Sequence, residues 1–410
     1  MKSLLQNKPL LFISITTFLS VIGIGIIIPV IPFIVSRYMP GADEKSIALN
    51  VGLLTSLYSV CQFFAAPGLG ALSDKYGRRP ILLLCLVGSA IGYLLFGIGG
   101  SLIVLFVGRI IDGLTGGDIS AIFAYVADVT KPQDRGKLFG MLGAIVGIGF
   151  MVGPTIGGLM SIISLSAPFY LAAAVTLLNA AFGYFVLPES LAKEHRMVDF
   201  SLHHLNPFGQ LQSILSNVAI RTILFIGFFY FLPFAQLQGI GSVYSKDILH
   251  WTPPSIGLMF LVIGVVDIFT QGIFAGKLIA KYGELRLLLA GLVVTGIAYL
   301  CNASLVLFPS AIFGYISIMI FAFGSGLIEP SLGSLVSRAA GPREQGQVQG
   351  ANQSLQSITR IIGPIIAAYL YSIGASLPYI VCALLSAIAF AYVFSQRKTI
   401  SSYIISRANH

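Results

Sequence analysis

The chain has 410 residues, of which 56% are hydrophobic and 10% charged, against roughly 25% charged in an ordinary soluble domain. That balance excludes a soluble globular enzyme, because a water-exposed fold has nowhere to hide so much apolar surface. The net charge of +9 is better explained by an anionic inner leaflet facing basic loops than by nucleic acid.

Apolar runs follow one another along the chain, near 10–36, 48–72, 80–100, 102–127, 138–162, 167–187, 218–243, 254–280, 286–307, 310–338, 347–372 and 377–395. Each approximates the roughly 20 residues that cross a bilayer core as a helix. They are continuously apolar rather than alternating, so they read as helices and not as strands of a barrel. The first run is far longer than the roughly 7 to 15 residues of a signal-peptide core and ends in no small-residue cleavage pattern, so it is expected to stay in the mature protein. The expected fold is an all-α membrane protein of twelve transmembrane helices in two pseudo-symmetric six-helix bundles.

With the N-terminus inside, most Lys and Arg fall in cytoplasmic loops. Arg37, Lys45 and Lys246 land outside, and Arg109 and Arg360 lie within runs. The positive-inside rule then places both termini in the cytoplasm and the chain in the cytoplasmic (inner) membrane, crossing it many times. Cys61, Cys85, Cys301 and Cys382 all sit in apolar runs without metal-ligand spacing, and read as core thiols.

A polar stretch from Pro188 to Asn217 carries Glu189, Lys193, Glu194, His195, Arg196, Asp199, His203 and His204. It divides the chain into an N-terminal bundle, 1–187, a cytoplasmic linker, 188–217, and a C-terminal bundle, 218–410. His203 and His204 are adjacent rather than one helical turn apart, which speaks for a solvated linker and against a metal site.

The two bundles share an internal repeat. Gly136-Lys-Leu-Phe-Gly140 with Gly153-Pro154 matches Gly346-Gln-Val-Gln-Gly350 with Gly363-Pro364, and Gly116 falls on Gly326 at the same spacing. Gly70 to Gly77 resembles Gly276 to Gly283, with Lys-Tyr-Gly closing both. Such duplication builds two bundles around a central cavity that opens to alternate sides.

Between runs 2 and 3 stands Gly70-Ala-Leu-Ser-Asp74-Lys-Tyr-Gly77-Arg78-Arg79-Pro80. Gly70 and Gly77 permit a tight turn, and Arg78 or Arg79 is placed to pair with Asp128, so the loop reads as a conformational latch. Arg135 follows Asp128 at the next junction, and run 5 carries Gly149, Gly153, Pro154, Gly157 and Gly158, a stripe that lets a neighbouring helix approach closely. These motifs, with Arg109 and Gly113 in run 4, resemble the major facilitator superfamily, and the run 5 pattern resembles its twelve-helix drug:proton antiporters, the tetracycline exporters among them. The resemblance implies alternating access, a run 5 that helps seal the outward side, and efflux of small molecules. The chain departs from the tetracycline exporters where their first helix carries an acid and this one carries Ser20, and where their eighth carries a histidine and this one Asp267. Proton antiport survives those changes as an expectation; tetracycline as the substrate does not follow from it.

Ionisable residues inside the runs are the sharpest chemical clue, since each costs roughly 2.5 to 3.5 kcal/mol on insertion scales. Arg109 and Asp112 share a helix face and read as a local ion pair. Asp118, about half a turn away on a continuous helix, Asp267 and Glu329 are proton carriers by this reasoning, with Asp112 as a further candidate and Arg360 as the second embedded cation. Carboxylates that merely hold helices together would leave the same residues in place. Phe228, Tyr230, Phe234, Gln236 and Gln238 of run 7, with Asn352 and Gln356 of run 11, offer flat apolar surface with a few amides, suited to bulky amphipathic molecules; lipid-facing aromatics give the same pattern.

No phosphate-binding Gly-Lys-Ser/Thr loop and no soluble-enzyme constellation appears. The expectation is therefore a non-enzymatic, proton-coupled exporter of small amphipathic or hydrophobic compounds. It needs no cofactor and no metal, draws on the proton gradient, partners with substrate, protons and membrane lipid but no nucleic acid, and works as a monomer. Export of an endogenous metabolite or siderophore, nutrient uptake by symport, and a non-transporting receptor on the same fold are the alternatives.

Overall fold

A computed structural model of the chain describes residues 8–130, 132–197, 218–339 and 345–408. Among these residues the structure is helical throughout, with no strand. In chain order the helices are α1 Lys8–Ile26, α2 Ile31–Tyr38, α3 Glu44–Tyr76, α4 Arg78–Ile98, α5 Leu102–Thr115, α6 Asp118–Val129, α7 Pro132–Met160 and α8 Ala167–Val186. They continue as α9 Val218–Ile248, α10 Pro253–Phe269, α11 Gly276–Tyr282, α12 Glu284–Ser304, α13 Ala311–Ala339, α14 Gln345–Ile373 and α15 Leu377–Ala408. Ten helical stretches among the described residues are long and apolar enough to cross a membrane. The other two expected runs are helical as well. One is broken at Gly116 and Gly117, and the other is polar over its first half, from Gln345 to Arg360.

Three runs that the sequence reads as single helices are interrupted. Pro29 and Pro32 remove two backbone donors, and the first run divides into α1 and α2. The fourth divides at the Gly116–Gly117 pair, where the helix loses its propensity. The eighth passes through a π-helical stretch, Thr270–Ala275, between α10 and α11. By contrast Pro67, Pro154, Pro233, Pro330 and Pro364 stay inside their helices.

The chain forms two compact units. Unit 1 comprises Met1–Ala42, Leu57–Pro207 and Thr252–Leu261. Here α1 lies against α7 because the α7 glycines leave room: a Cβ on Gly153 would stand 2.8 Å from the Ile22 carbonyl, and one on Gly149 2.9 Å from the Val21 Cβ. The α10 segment of this unit meets the same helix on another side, where a Cβ on Gly158 would come 2.5 Å from the Pro253 carbonyl and one on Gly257 2.8 Å from the Pro154 carbonyl. Phe12, Ile13, Leu82, Ile122, Tyr125 and Val126 form part of its buried core.

Unit 2 comprises Asp43–Ser56, Phe208–Trp251 and Val262–His410. Its core includes Ile223, Leu224, Tyr230, Leu288, Ile328 and Leu332. The α3 segment of this unit packs on α14, where a Cβ on Gly52 would lie 2.8 Å from the Pro364 carbonyl. The same segment is held to α9 by Lys246 Nζ, 2.5 Å from Glu44 Oε1.

Candidate functional site

Asp267 on α10 and Glu329 on α13 come together in unit 2. Gly326, one turn before Glu329, makes the approach possible, since a Cβ there would stand 2.8 Å from Thr270 and 3.2 Å from Asp267 Oδ1. Ser325 Oγ donates to Asp267 Oδ1 at 3.4 Å. Glu329 Oε1 accepts from the Tyr230 hydroxyl at 3.3 Å, and Oε2 from Gln271 Nε2 at 3.3 Å. The two carboxylates lie close enough to repel one another, and Arg360 close enough to act on Glu329 through its charge. Tyr230 is 3% exposed, whereas Glu329 is exposed and Asp267 half-buried, so the cluster has a sealed side and an open side.

Beyond Tyr230 the aromatic residues of α9 continue the wall. The Phe234 ring lies 6.2 Å from that of Tyr230 and stacks at the same spacing on Phe321. Phe228 and Gln238 are half-buried. Gln236, however, is turned into the protein at 1% exposed, and its Oε1 accepts from Cys382 Sγ at 3.3 Å. Asn352 and Gln356 of α14 are half-buried, and the Asn352 Oδ1 is enclosed without a hydrogen-bond partner among the described residues.

Unit 1 holds the other embedded pair. Arg109 NH1 lies 3.6 Å from Asp112 Oδ2, with both side chains almost fully buried. The guanidinium also sits 5.3 Å from the Tyr58 ring centroid and 5.1 Å from that of Phe96, so three neighbours fix its position. Asp112 opens on a small cleft, with room for little more than a water, that Ser20, Tyr58, Ser89, Tyr93 and Thr176 also line. Ser20 is buried there, and its Oγ has no hydrogen-bond partner among the described residues. The Asp118 side chain lies outside the described residues. Its backbone opens α6 beyond the Gly116–Gly117 break, so the angle counted from Arg109 along one continuous helix does not hold.

The stretch from Gly70 to Pro80 is a dense ionic knot in unit 1; Gly77 makes the turn by itself, at φ +111°, whereas Gly70, expected to share in it, lies inside α3. Of the two arginines it is Arg78 that reaches Asp128, at 3.0 Å, while it also holds Asp74 at 2.5 Å and donates to Ser73 at 3.1 Å. Arg79 turns the other way, donating to the Tyr184 carbonyl and lying over the Tyr184 ring. The Arg135 side chain, His203 and His204 lie outside the described residues.

The start of the polar linker is not simply solvated. Glu189 Oε1 accepts from the backbone N–H of Arg78 at 2.8 Å and Oε2 from that of Arg79 at 3.3 Å. Ser190 donates to Asp128 at 3.0 Å, and the Met197 N–H to the Asp74 carbonyl, also at 3.0 Å. Sequence reasoning missed Glu189 because the Arg78 and Arg79 amides it holds are more than a hundred residues away. It missed Glu44 with Lys246 for the same reason. The Pro-Glu-Ser at the end of run 6, an acid where the chain leaves the membrane, was the available signal.

The sequence profile of the Major Facilitator Superfamily matches residues 13–364, and again 248–406. The chain belongs to the major facilitator superfamily. It is 34% identical over 373 residues to the class C tetracycline resistance protein of Escherichia coli, covering 90% of this chain and 91% of that one. It is 28% identical to multidrug resistance protein 2 of Bacillus subtilis, covering 92% and 93%. Among solved structures, a human organic anion transporter superposes with a TM-score of 0.71 at 23% identity, covering 94% of this chain and 99% of that one. As a major facilitator protein the chain is a multi-pass membrane transporter and not an enzyme.

Proposed function

We propose that this transporter exports small amphipathic compounds in exchange for protons, and that Asp267 and Glu329 carry the proton. The observation that carries the reading is the partner set of these two acids. Tyr230, Ser325 and Gln271 each present groups that can give or take a hydrogen bond, so the same pocket serves a carboxylate and a carboxylic acid. Asp112 lacks that freedom, because Arg109 stands beside it and is itself clamped between two rings; its role is to keep unit 1 together.

Export of drug-like molecules is supported by the relatives, whose names speak of tetracycline and multidrug resistance. Half-buried Phe234, backed by the buried rings of Tyr230 and Phe321 and near an exposed acid, suits a flat apolar compound with a polar or cationic group. The proton gradient is the energy source and no cofactor takes part; the basic loops favour the cytoplasmic membrane with both termini inside.

The test is uptake of ethidium into inverted membrane vesicles with and without an imposed pH gradient. Uptake that depends on the gradient and is lost in Asp267→Asn and Glu329→Gln is the expected result. Equal uptake by both variants and the wild type would remove the carriers from the mechanism.

A further inference from the structure

The loop between α3 and α4 and the loop between α11 and α12 are built alike. Gly77 has φ +111° and ψ 157°, and Gly283 has φ +82° and ψ 159°, both in the region that favours glycine. Each is followed at once by a helix whose first side chain crosses to the end of another helix. In unit 1, Arg78 of α4 meets Asp128 near the end of α6 at 3.0 Å. In unit 2, Glu284 of α12 meets Arg338 near the end of α13 at 2.6 Å, and also accepts from Ser334 Oγ at 3.1 Å. The geometry repeats while the charges change places.

Helix dipoles separate the two arrangements. An acid is favoured at a helix N-terminus and a base at a C-terminus. Glu284 and Arg338 satisfy both preferences. Arg78 and Asp128 satisfy neither, and α4 has no acid of its own in its first turn. The missing negative charge comes from Glu189, whose carboxylate receives the first two amides of α4. Among the described residues no such group stands at Gly283, around which a Cβ would meet nothing within 4 Å, whereas Gly77 lies against Glu189 and Arg196.

We infer that Glu284 with Arg338 is a second latch, the counterpart of Arg78 with Asp128 in reversed polarity, and that Glu189 is the positioning residue the first latch requires because its polarity opposes the dipoles. That both latches govern transport rests on the export reading above; the electrostatic dependence does not.

Two measurements on the full-length protein keep these apart: turnover and KM for ethidium in inverted vesicles, and the thermal unfolding midpoint in detergent. Glu189→Gln lowers turnover roughly two- to fivefold, the range of a partly exposed charge interaction, leaves KM unchanged and lowers the midpoint. In an R78E/D128R background, where α4 carries its own acid, the same Glu189→Gln change is harmless or beneficial. R78Q/E189Q provides the comparison if the exchanged pair does not fold, with Glu189→Gln costing less there than in the wild type. Glu284→Gln and Arg338→Gln each lower turnover by a similar factor, and the double variant costs no more than either alone. Equal cost of Glu189→Gln in every background, or additive costs for Glu284 and Arg338, overturns the inference. Should the wild type fail to move ethidium, the export reading falls while the midpoints still decide the pairing.

Discussion

Asp112 occupies space that Gly92 leaves empty: a Cβ at position 92 would stand 2.8 Å from the Asp112 Cβ and 3.0 Å from the Gly108 carbonyl. Neither neighbour is the tip of a flexible side chain, so the helices α4 and α5 must separate to admit a methyl group. Gly92→Ala is expected to destabilise the protein by about 1–3 kcal/mol, the usual cost of overpacking. A thermal unfolding midpoint equal to that of the wild type would contradict the packing.

The Arg109–Asp112 pair is nearly sealed from solvent. Removing one partner strands a buried charge, at a cost of about 3–5 kcal/mol. Arg109→Ala and Asp112→Ala should each lower the unfolding midpoint more than a surface charge deletion such as Lys193→Ala, and the double variant should cost less than the two singles together. Strict additivity would show that the two side chains do not interact.

Tyr230 reaches Glu329 through its hydroxyl alone. Tyr230→Phe keeps the ring in the aromatic wall and deletes one hydrogen bond, worth about 0.5–1.5 kcal/mol. Gradient-driven uptake in vesicles should fall by roughly two- to tenfold while ethidium binding to purified protein stays as it was. Weakened binding with intact coupling would assign the hydroxyl to substrate instead.

Asp43 precedes α3 and accepts from the Ser46 N–H at 3.0 Å. Hydrogen bonds from the Ser46 side chain and backbone hold its carboxyl below the ordinary range. A folded-state pKa below the unfolded value means stabilisation that is full above the unfolded carboxyl pKa, about 3.9, and is lost as pH falls through the folded value. The midpoint difference between wild type and Asp43→Ala should therefore be present at neutral pH and shrink under acid. A difference that persists unchanged at low pH would mean that the charge is not what Asp43 contributes.

The sequence made the spans legible because lipid demands long apolar helices, and it made the short-range pairs legible because three- and four-residue spacing shares a helix face. Arg109 with Asp112 is the clearest instance. It chose between Arg78 and Arg79 no better than evenly, since adjacent residues at the start of a helix leave in different directions and only the packing of Tyr184 settles where Arg79 goes. Gln236, a substrate-contact candidate by sequence, lies inward against Cys382, because a helix as apolar on all sides as α9 gives no polar stripe from which to orient it. Breaks such as Gly116–Gly117 were hidden in runs whose mean hydropathy is unaffected by two glycines.

The π-helical stretch Thr270–Ala275 lies between Asp267 and the loop that presents Glu284. A π-turn accommodates one residue more than an α-turn, so the chain beyond it is rotated by about 100° relative to an uninterrupted helix. The widening thus sits in the rotational setting of the polypeptide between two contacts: Gln271, inside it, reaches Glu329, and Glu284, just past the end of the helix that follows it, reaches Arg338. A chain shortened by Gly272 would turn by about 100° less between the two contacts, so the carboxylate cluster and the distant loop share one rotational setting.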